Sequence, residues 1–348
     1  MLPAMRIIDG PIFKKFLFFF LSFTVFLLSQ EIEEKSCAAS SISENHDVCN
    51  LSAIYNSIYS YHLPEEILQD FLGGRGFDYP KEYTLEEFGK LNADINDLFQ
   101  AIMDSNPVKA NLAIISAGSP GAGKTMLMKQ KAEASAKEGF AFSYVCPDDF
   151  LLRGLKRTYA SDIEAEDSLS QKVAYTKWRP ASNAAAHIVL ANLIKDKYAF
   201  YFGTTCSSPM TYKFFEFLKK QGYKIKVIHL SASDKVRWDS IQERDKSFIQ
   251  TTKEDIYEKG LMMPQRINDV FLKYADEIEF YYRRTVASDA VHAATWIKTE
   301  GAPFSGELAI FNERAYKGVK EVHNAAVAIL QRPELQWEDT VEPVSAVR

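Results

Sequence analysis

The tightest constraint on the fold is a junction in the chain. The run Leu112-Ala-Ile-Ile-Ser-Ala117 is apolar with two β-branched residues at its centre. It leads directly into Gly118-Ser119-Pro120-Gly121-Ala122-Gly123-Lys124-Thr125, and a helix-forming stretch follows from Met126 to Glu138. Strand, glycine-rich turn and helix in that order, with the spacing G-x-x-x-x-G-K-[ST], form a phosphate cradle. Glycine lets the backbone turn successive N–H groups inward, and the helix N-terminus adds partial positive charge. Residues 118–125 are therefore expected to bind nucleotide phosphates. Lys124 would reach the β- and γ-phosphates and Thr125 would hold Mg²⁺, so ATP and Mg²⁺ are the implied cofactors.

From Asn111 onward short β-rich runs alternate with helical stretches. The runs are Leu112–Ala117, Phe140–Cys146, Tyr198–Thr204, Lys224–Leu230 and Glu277–Tyr282. The helical stretches between them are Thr125–Ala136, Ala181–Lys195, Met210–Gln221 and Asp234–Asp245. That rhythm predicts βαβ units, hence an α/β fold with a mostly parallel sheet covered by helices on both faces. Ligands of such sheets bind beyond the carboxyl ends of the strands, so the residues just after each run become candidates.

The remaining organisation is simpler. Lys14-Lys15 precede a charge-free apolar run of 13 residues, Phe16–Leu28. A bilayer span needs about 20 apolar residues, so residues 1–30 read as a signal peptide or, through residues 12–28, a membrane anchor. That reading implies export or membrane attachment, with a cytosolic site of action for the catalytic unit. Residues 31–47 read as a polar linker and 48–108 as a helical N-terminal extension. The main domain is placed at 109–300, with a C-terminal helix (Asn312–Leu330) and tail over 301–348. Of 348 residues 47% are hydrophobic, enough for a large core, and the net charge of −5 argues against a nucleic-acid partner. Neither the four cysteines nor the six histidines show metal-ligand spacing. Cys146 and Cys206 read as small core residues.

The cradle alone does not separate the classes that use it. No Asn-Lys-x-Asp stretch is present to read guanine, and no apolar run ends in Asp-Glu as a motor ATPase requires. Instead the second run ends in Pro147-Asp148-Asp149-Phe150. A carboxylate at that strand end faces the γ-phosphate and can take a proton from an attacking hydroxyl. From the residues alone, either Asp148 or Asp149 could be the inward one.

Asp-x-Phe after the second strand, Pro180-x-Ser182-Asn183 opening the next helix, Gly203-Thr204 ending the third strand, and Glu243-Arg244 ending a later helix together resemble the zeta-toxin family of P-loop kinases. The resemblance covers Ala110 to Arg283. It implies ATP-dependent phosphorylation of a hydroxyl on a small molecule, UDP-N-acetylglucosamine in that family, and an antitoxin-like inhibitor as partner. Carried onto this chain, it makes Asp148 the general base and Arg244 a lid arginine, with Lys124 on the phosphates. Ser182, Asn183 and Thr204 fall on the acceptor side. The chain departs from the family's Glu-Gly-Thr-x-Arg, having Phe202-Gly203-Thr204-Thr205-Cys206. The family's substrate-side acid falls on His187 and its second lid arginine on Leu261, with Lys259 and Arg266 nearby but out of position. Two rivals follow from these departures: a kinase of the same fold with another acceptor, and a nucleotide-binding protein without transferase activity.

Overall fold

A computed structural model describes residues 48–50, 82–148, 152–163, 168–246 and 251–329. Two short strands, β1 (Val48–Asn50) and β2 (Glu82–Thr84), pair antiparallel. Helix α1 (Leu85–Asp104) follows, and its start is written in the sequence. Thr84 accepts from the Glu87 N–H while the Glu87 carboxylate accepts from the Thr84 N–H, a reciprocal cap of the kind that contributes about 1 kcal/mol. Phe88, Leu91, Ile95, Leu98 and Ile102 recur at helical spacing and are buried, so α1 presses one face into the main core.

The main sheet has seven strands in the order β4-β5-β3-β6-β7-β8-β9. They are β3 (Leu112–Ala117), β4 (Ser143–Val145), β5 (Phe200–Phe202), β6 (Lys224–Ser231), β7 (Glu277–Tyr282), β8 (Val291–Lys298) and β9 (Gly306–Ile310). The first five in this order run parallel, and β8 and β9 join antiparallel. The helices between them are α2 (Lys124–Lys137), α3 (Ser168–Lys195), α4 (Thr211–Lys220), α5 (Asp234–Arg244) and α6 (Lys253–Arg266), with α7 (Glu313–Ile329) last. Side-chain alternation along the strands sorts residues to two faces. Ala113, Ile115, Phe200, Phe202, Ile225 and Val227 join the larger core with α1, α3 and α4. Ile114, Tyr201, Ile228 and Leu230 meet Leu127 and Met128 of α2 on the other face. The result is the expected three-layer α/β arrangement. The chain winds from β3 to β4 and β5 on one side and to β6 and β7 on the other, so β3 is the switch point where a ligand crevice opens.

Three expectations need correction. The helix expected to open at Pro180 starts at Ser168 and runs straight through the proline. Proline removes one helical N–H, but Trp178, Ala181, Ala184, Ala185 and Ile188 are all buried around it, and packing outweighs the lost bond. The antiparallel pair β8 and β9 and the helix α6 had no counterpart in the sequence reading. The third correction concerns localisation by export or membrane anchoring. Among the described residues no helix is long and apolar enough to cross a membrane. Even in α3 the charge-free stretch between Arg179 and Lys195 is 15 residues, short of the roughly 20 a span needs, and it is packed in the core. The apolar run at 12–28 lies outside the described residues, as do residues 51–81 of the expected helical extension.

Candidate active site

The glycine-rich turn is shaped by what surrounds it. Gly118 has φ 129°, and a Cβ there would lie 2.3 Å from the Leu230 carbonyl oxygen on β6. Gly121 has φ 77°, and its Cβ would lie 2.1 Å from the carbonyl oxygen of Arg237 on α5. Both residues are glycine for two separate reasons, backbone conformation and lack of space. The Gly118 N–H donates to the Thr205 carbonyl at 3.1 Å, which ties the turn to the segment after β5. Ser116 reinforces the tie, because its hydroxyl donates to the Thr204 carbonyl at 2.8 Å and accepts the Thr204 N–H at 3.0 Å. Ala122 is fully buried under the turn, and Pro120 is partly exposed on it.

Lys124 starts α2 and Gly123 caps it. The lysine is only half-buried, but its ammonium folds back into the turn and donates to the Ser119 carbonyl at 2.9 Å. Burial pushes it down to about 8; the Asp148 carboxylate opposes that shift, and the nearby Lys259 ammonium adds to it. Lys124, Asp148 and Lys259 therefore share one electrostatic neighbourhood. Thr125, also partly buried, follows in the first turn of α2.

Asp148 lies three residues past the end of β4, 63% exposed, with one oxygen 2.5 Å from Nη2 of Arg179 on α3. Asp149 lies outside the described residues. Arg179 continues the chain of contacts: its Nη1 donates to Asn183 Oδ1 at 2.6 Å and to the Ser182 hydroxyl at 3.0 Å. Ser182 is itself fully buried and donates to the Arg179 carbonyl at 2.9 Å, so it supports the arginine from below. Arg244, at the end of α5, holds both oxygens of Asp245 at 2.6 and 2.7 Å. This bidentate pair raises the guanidinium pKa, and the field of Asp148 contributes in the same direction.

Four of the expected residues, Lys124, Asp148, Ser182 and Asn183, are thus joined by direct contact or shared field, with Arg244 at the edge of the group. Thr204 stands apart on the β3 side, its backbone held by Ser116. His187 is 1% exposed, inside the core face of α3. Of the two cations out of position, Lys259 stands near the lysine of the turn, paired to Asp255 at 2.7 Å. Arg266 is instead buried and donates to the Ser207 carbonyl at 3.3 Å. Cys206 adopts φ 53°, unusual for a residue with a side chain, and its buried Sγ lies 3.4 Å from the Ser116 carbonyl.

Sequence reading missed Arg179, Arg237 and Arg283. Arg179 precedes Ser182 by three residues and Asn183 by four, the spacing of one helical face. Reading Pro180 as a helix start hid that relation. Arg237 is buried behind the turn, donating through Nη1 to the Ile256 carbonyl at 2.9 Å and pairing with Asp234, and burial pushes it down to about 10. Arg283 follows β7 and would meet a Cβ on Gly123 at 3.2 Å. Its signal was its place one residue past a strand end.

A phosphate cradle at the switch point of a mostly parallel sheet, with the exposed carboxylate of Asp148 beside Arg179 and in the field of Lys124, defines an ATP-dependent phosphotransferase of the P-loop kinase type. The family model described as zeta toxin matches residues 96–287, more than half of the chain. The chain belongs to the zeta-toxin family. A search of curated proteins finds no match. Among solved structures, it is similar to the AvrRxo1-ORF1:-ORF2 complex, with 13% identity over 66% of this chain and 70% of that one, at a TM-score of 0.46. It is also similar to the PezAT chromosomal toxin-antitoxin system of Streptococcus pneumoniae, with 16% identity over 72% and 99% of the two chains and a TM-score of 0.44. A putative kinase from Chloroflexus aurantiacus matches at 13% identity over 51% and 86%, with a TM-score of 0.31. At these scores none of them specifies an acceptor or a partner.

Proposed function

We propose that the chain transfers the γ-phosphoryl group of ATP to a hydroxyl of a small molecule, with a sugar nucleotide such as UDP-N-acetylglucosamine as the leading acceptor. The observation that carries this reading is the placement of Asp148. It is an exposed carboxylate at a strand end, close enough to the lysine of the phosphate turn and to Arg244 for each to feel its charge. The acceptor hydroxyl gives its proton to Asp148 as its oxygen bonds to the γ-phosphorus, and the bond from that phosphorus to the β–γ bridging oxygen breaks to leave ADP. Lys124 and Arg244 oppose the negative charge spread over the transferring group. Turn residues Gly118–Thr125 hold the β- and γ-phosphates through backbone N–H groups.

The residues present fit Mg²⁺. No group of three or more His, Cys, Asp or Glu side chains is poised to hold a metal among the described residues, and Mg²⁺ takes few protein ligands beside phosphates and water. The Thr125 hydroxyl, a hard oxygen in the first turn of α2, would hold it. When bound, the ion would neutralise phosphate charge. Residues 109–300 are the proposed catalytic unit, and membership of the family supports an antitoxin-like inhibitor as partner.

One observation favours a second reading, a kinase with a different acceptor. Where the family carries acid and arginine after the third strand, this chain has Phe202 and Cys206, both 4% exposed. Neither side chain can bind a polar acceptor from there. The test is incubation of the chain with labelled ATP and a panel of sugar nucleotides, nucleosides and sugars. Transfer to UDP-N-acetylglucosamine that is lost in Lys124→Ala and Asp148→Asn supports the first reading, and transfer only to another acceptor supports the second. ATP binding without transfer to any acceptor, unchanged by Asp148→Asn, would overturn both and leave a nucleotide-binding protein.

A further inference from the structure

Arg179 is placed as no surface arginine needs to be. Its side chain is 16% exposed, and its two terminal nitrogens point to different partners. Nη2 meets the Asp148 carboxylate at 2.5 Å; Nη1 meets Asn183 Oδ1 at 2.6 Å and the Ser182 hydroxyl at 3.0 Å. The fork is rigid and planar, so fixing one end fixes the other. One guanidinium thus ties three residues of α3 to Asp148, 31 residues earlier in the chain. Ser182, fully buried, accepts from the guanidinium and donates to the Arg179 carbonyl, which locks the arginine to its own helix.

The contact with Asn183 carries further information. An arginine only donates, so the amide atom 2.6 Å from Nη1 must be the oxygen. The NH₂ group of Asn183 is then the end left for a ligand, and it offers donors only. Asp148, for its part, offers only acceptor oxygens while ionised. One side of the site therefore pairs a proton acceptor with a hydrogen-bond donor, both set by the same guanidinium.

We propose that Arg179 is a positioning residue that aims the Asp148 carboxylate and turns the Asn183 amide so that its NH₂ group receives an oxygen of the acceptor molecule. The acceptor class this selects is a polyol, sugar or ribose in which the reacting hydroxyl has a neighbouring oxygen to accept from Asn183. This rests on the reading of Asp148 as the base, and the experiment separates the two.

The test uses the full chain, with Arg179→Lys, Arg179→Gln, Asp148→Asn and the double variant Arg179→Gln/Asp148→Asn. ATP affinity and melting temperature are measured for each. ADP release is followed in water alone, where water is the acceptor, and with UDP-N-acetylglucosamine. The expected result is a loss of about 10- to 100-fold in turnover for Arg179→Gln, a smaller loss for Arg179→Lys, and ATP affinity within about twofold of wild type. The double variant should be no slower than Asp148→Asn alone, because the two residues act as a unit. If Arg179→Gln turns over at the wild-type rate while Asp148→Asn is inactive, this proposal fails and the base assignment stands. If ATP affinity falls in parallel with turnover, or the losses multiply in the double variant, Arg179 is merely structural and the proposal also fails. Asp148→Asn at the wild-type rate, or a wild-type chain that releases no ADP in water or with any acceptor of the panel above, overturns the base assignment and the proposal together.

Discussion

The Ser119 hydroxyl donates to the Ile256 carbonyl across 2.7 Å, and this joins the second residue of the phosphate turn to the first turn of α6. Arg237 donates to the same carbonyl from α5. One buried oxygen therefore gathers the turn, the helix that ends in Arg244 and the helix that carries Lys259. Ser119→Ala should cost about 1 kcal/mol, at the low end for a buried bond because Arg237 still satisfies the carbonyl. Arg237→Met removes a guanidinium with two partners and should cost about 2–3 kcal/mol. Thermal denaturation should show Arg237→Met melting clearly below Ser119→Ala. Equal melting temperatures would mean that the carbonyl does not couple the three elements.

Two glycines with similar backbone angles should respond differently to alanine. Gly121 has φ 77° and its Cβ would strike the Arg237 carbonyl at 2.1 Å, whereas Gly139 has φ 88° with nothing within 4 Å. Gly139→Ala pays only for its conformation, about 1–2 kcal/mol of stability, and should bind ATP normally. Gly121→Ala forces the backbone of α5 away from the turn and should lose ATP affinity by at least 100-fold. Isothermal titration of the two variants checks this, and comparable affinities would contradict it.

ATP binding should weaken as pH rises through about 8. Lys124 binds phosphate in its protonated form, and burial pushes its pKa in the free protein down to about 8. Below that pH the charge is present and affinity is level. Above it, affinity falls by up to tenfold per pH unit until the bound form also titrates. Titration between pH 6.5 and 9.5 reads this directly. A flat profile would show that the lysine stays charged throughout.

Stability should fall in two stages on acidification. His229 and His323, both buried, line a small cavity of about 30 Å³ behind the turn, and burial holds them down at about 3 and about 4. The unfolded chain takes up protons on these side chains below about 6.5, where the folded one cannot, so stability drops by up to about 1.4 kcal/mol per pH unit for each. Glu279 behaves oppositely in cause. Its pKa is lowered to about 2: Lys131 and Lys226 hold it as a carboxylate against the cost of burial, so its contribution is intact above about 4.5 and is lost toward 2. Denaturant unfolding between pH 7 and 3 should steepen below about 4.5. A His229→Phe variant should roughly halve the slope of the upper stage, leaving the His323 contribution, and keep the lower one.

The sequence was informative wherever the cause is local. Gly118–Thr125 could be read because close approach and positive φ both demand glycine at fixed spacing. The five parallel strands could be read because β3 and β5 are apolar runs buried on both faces, and β6 and β7 alternate charged with apolar residues before becoming apolar. Where a tertiary effect decides, the residues were silent. Pro180 looks like a helix start and lies inside a helix because Trp178 and Ala181 are buried around it. That misreading hid Arg179, whose partners come from one helical face and from another strand. In β9, exposed and intermediate residues alternate without a clear apolar face, so the edge strand left little pattern to find. Arg237 gave no signal because a buried arginine is identified by what folds over it, and Arg283 gave only its place just past a strand end.

Gly118 is pressed against the Leu230 carbonyl and bonded to Thr205, while Gly121 is pressed against Arg237. The turn therefore acquires its shape only after chain made well after it has arrived. During synthesis, roughly 110 residues separate Thr125 from Arg237. At about 5–20 residues per second this is an interval on the order of ten seconds, during which the nascent chain carries its phosphate-binding residues without the walls that shape them. Competence for phosphoryl transfer is thus delayed by topology until the second half of the sheet has been made.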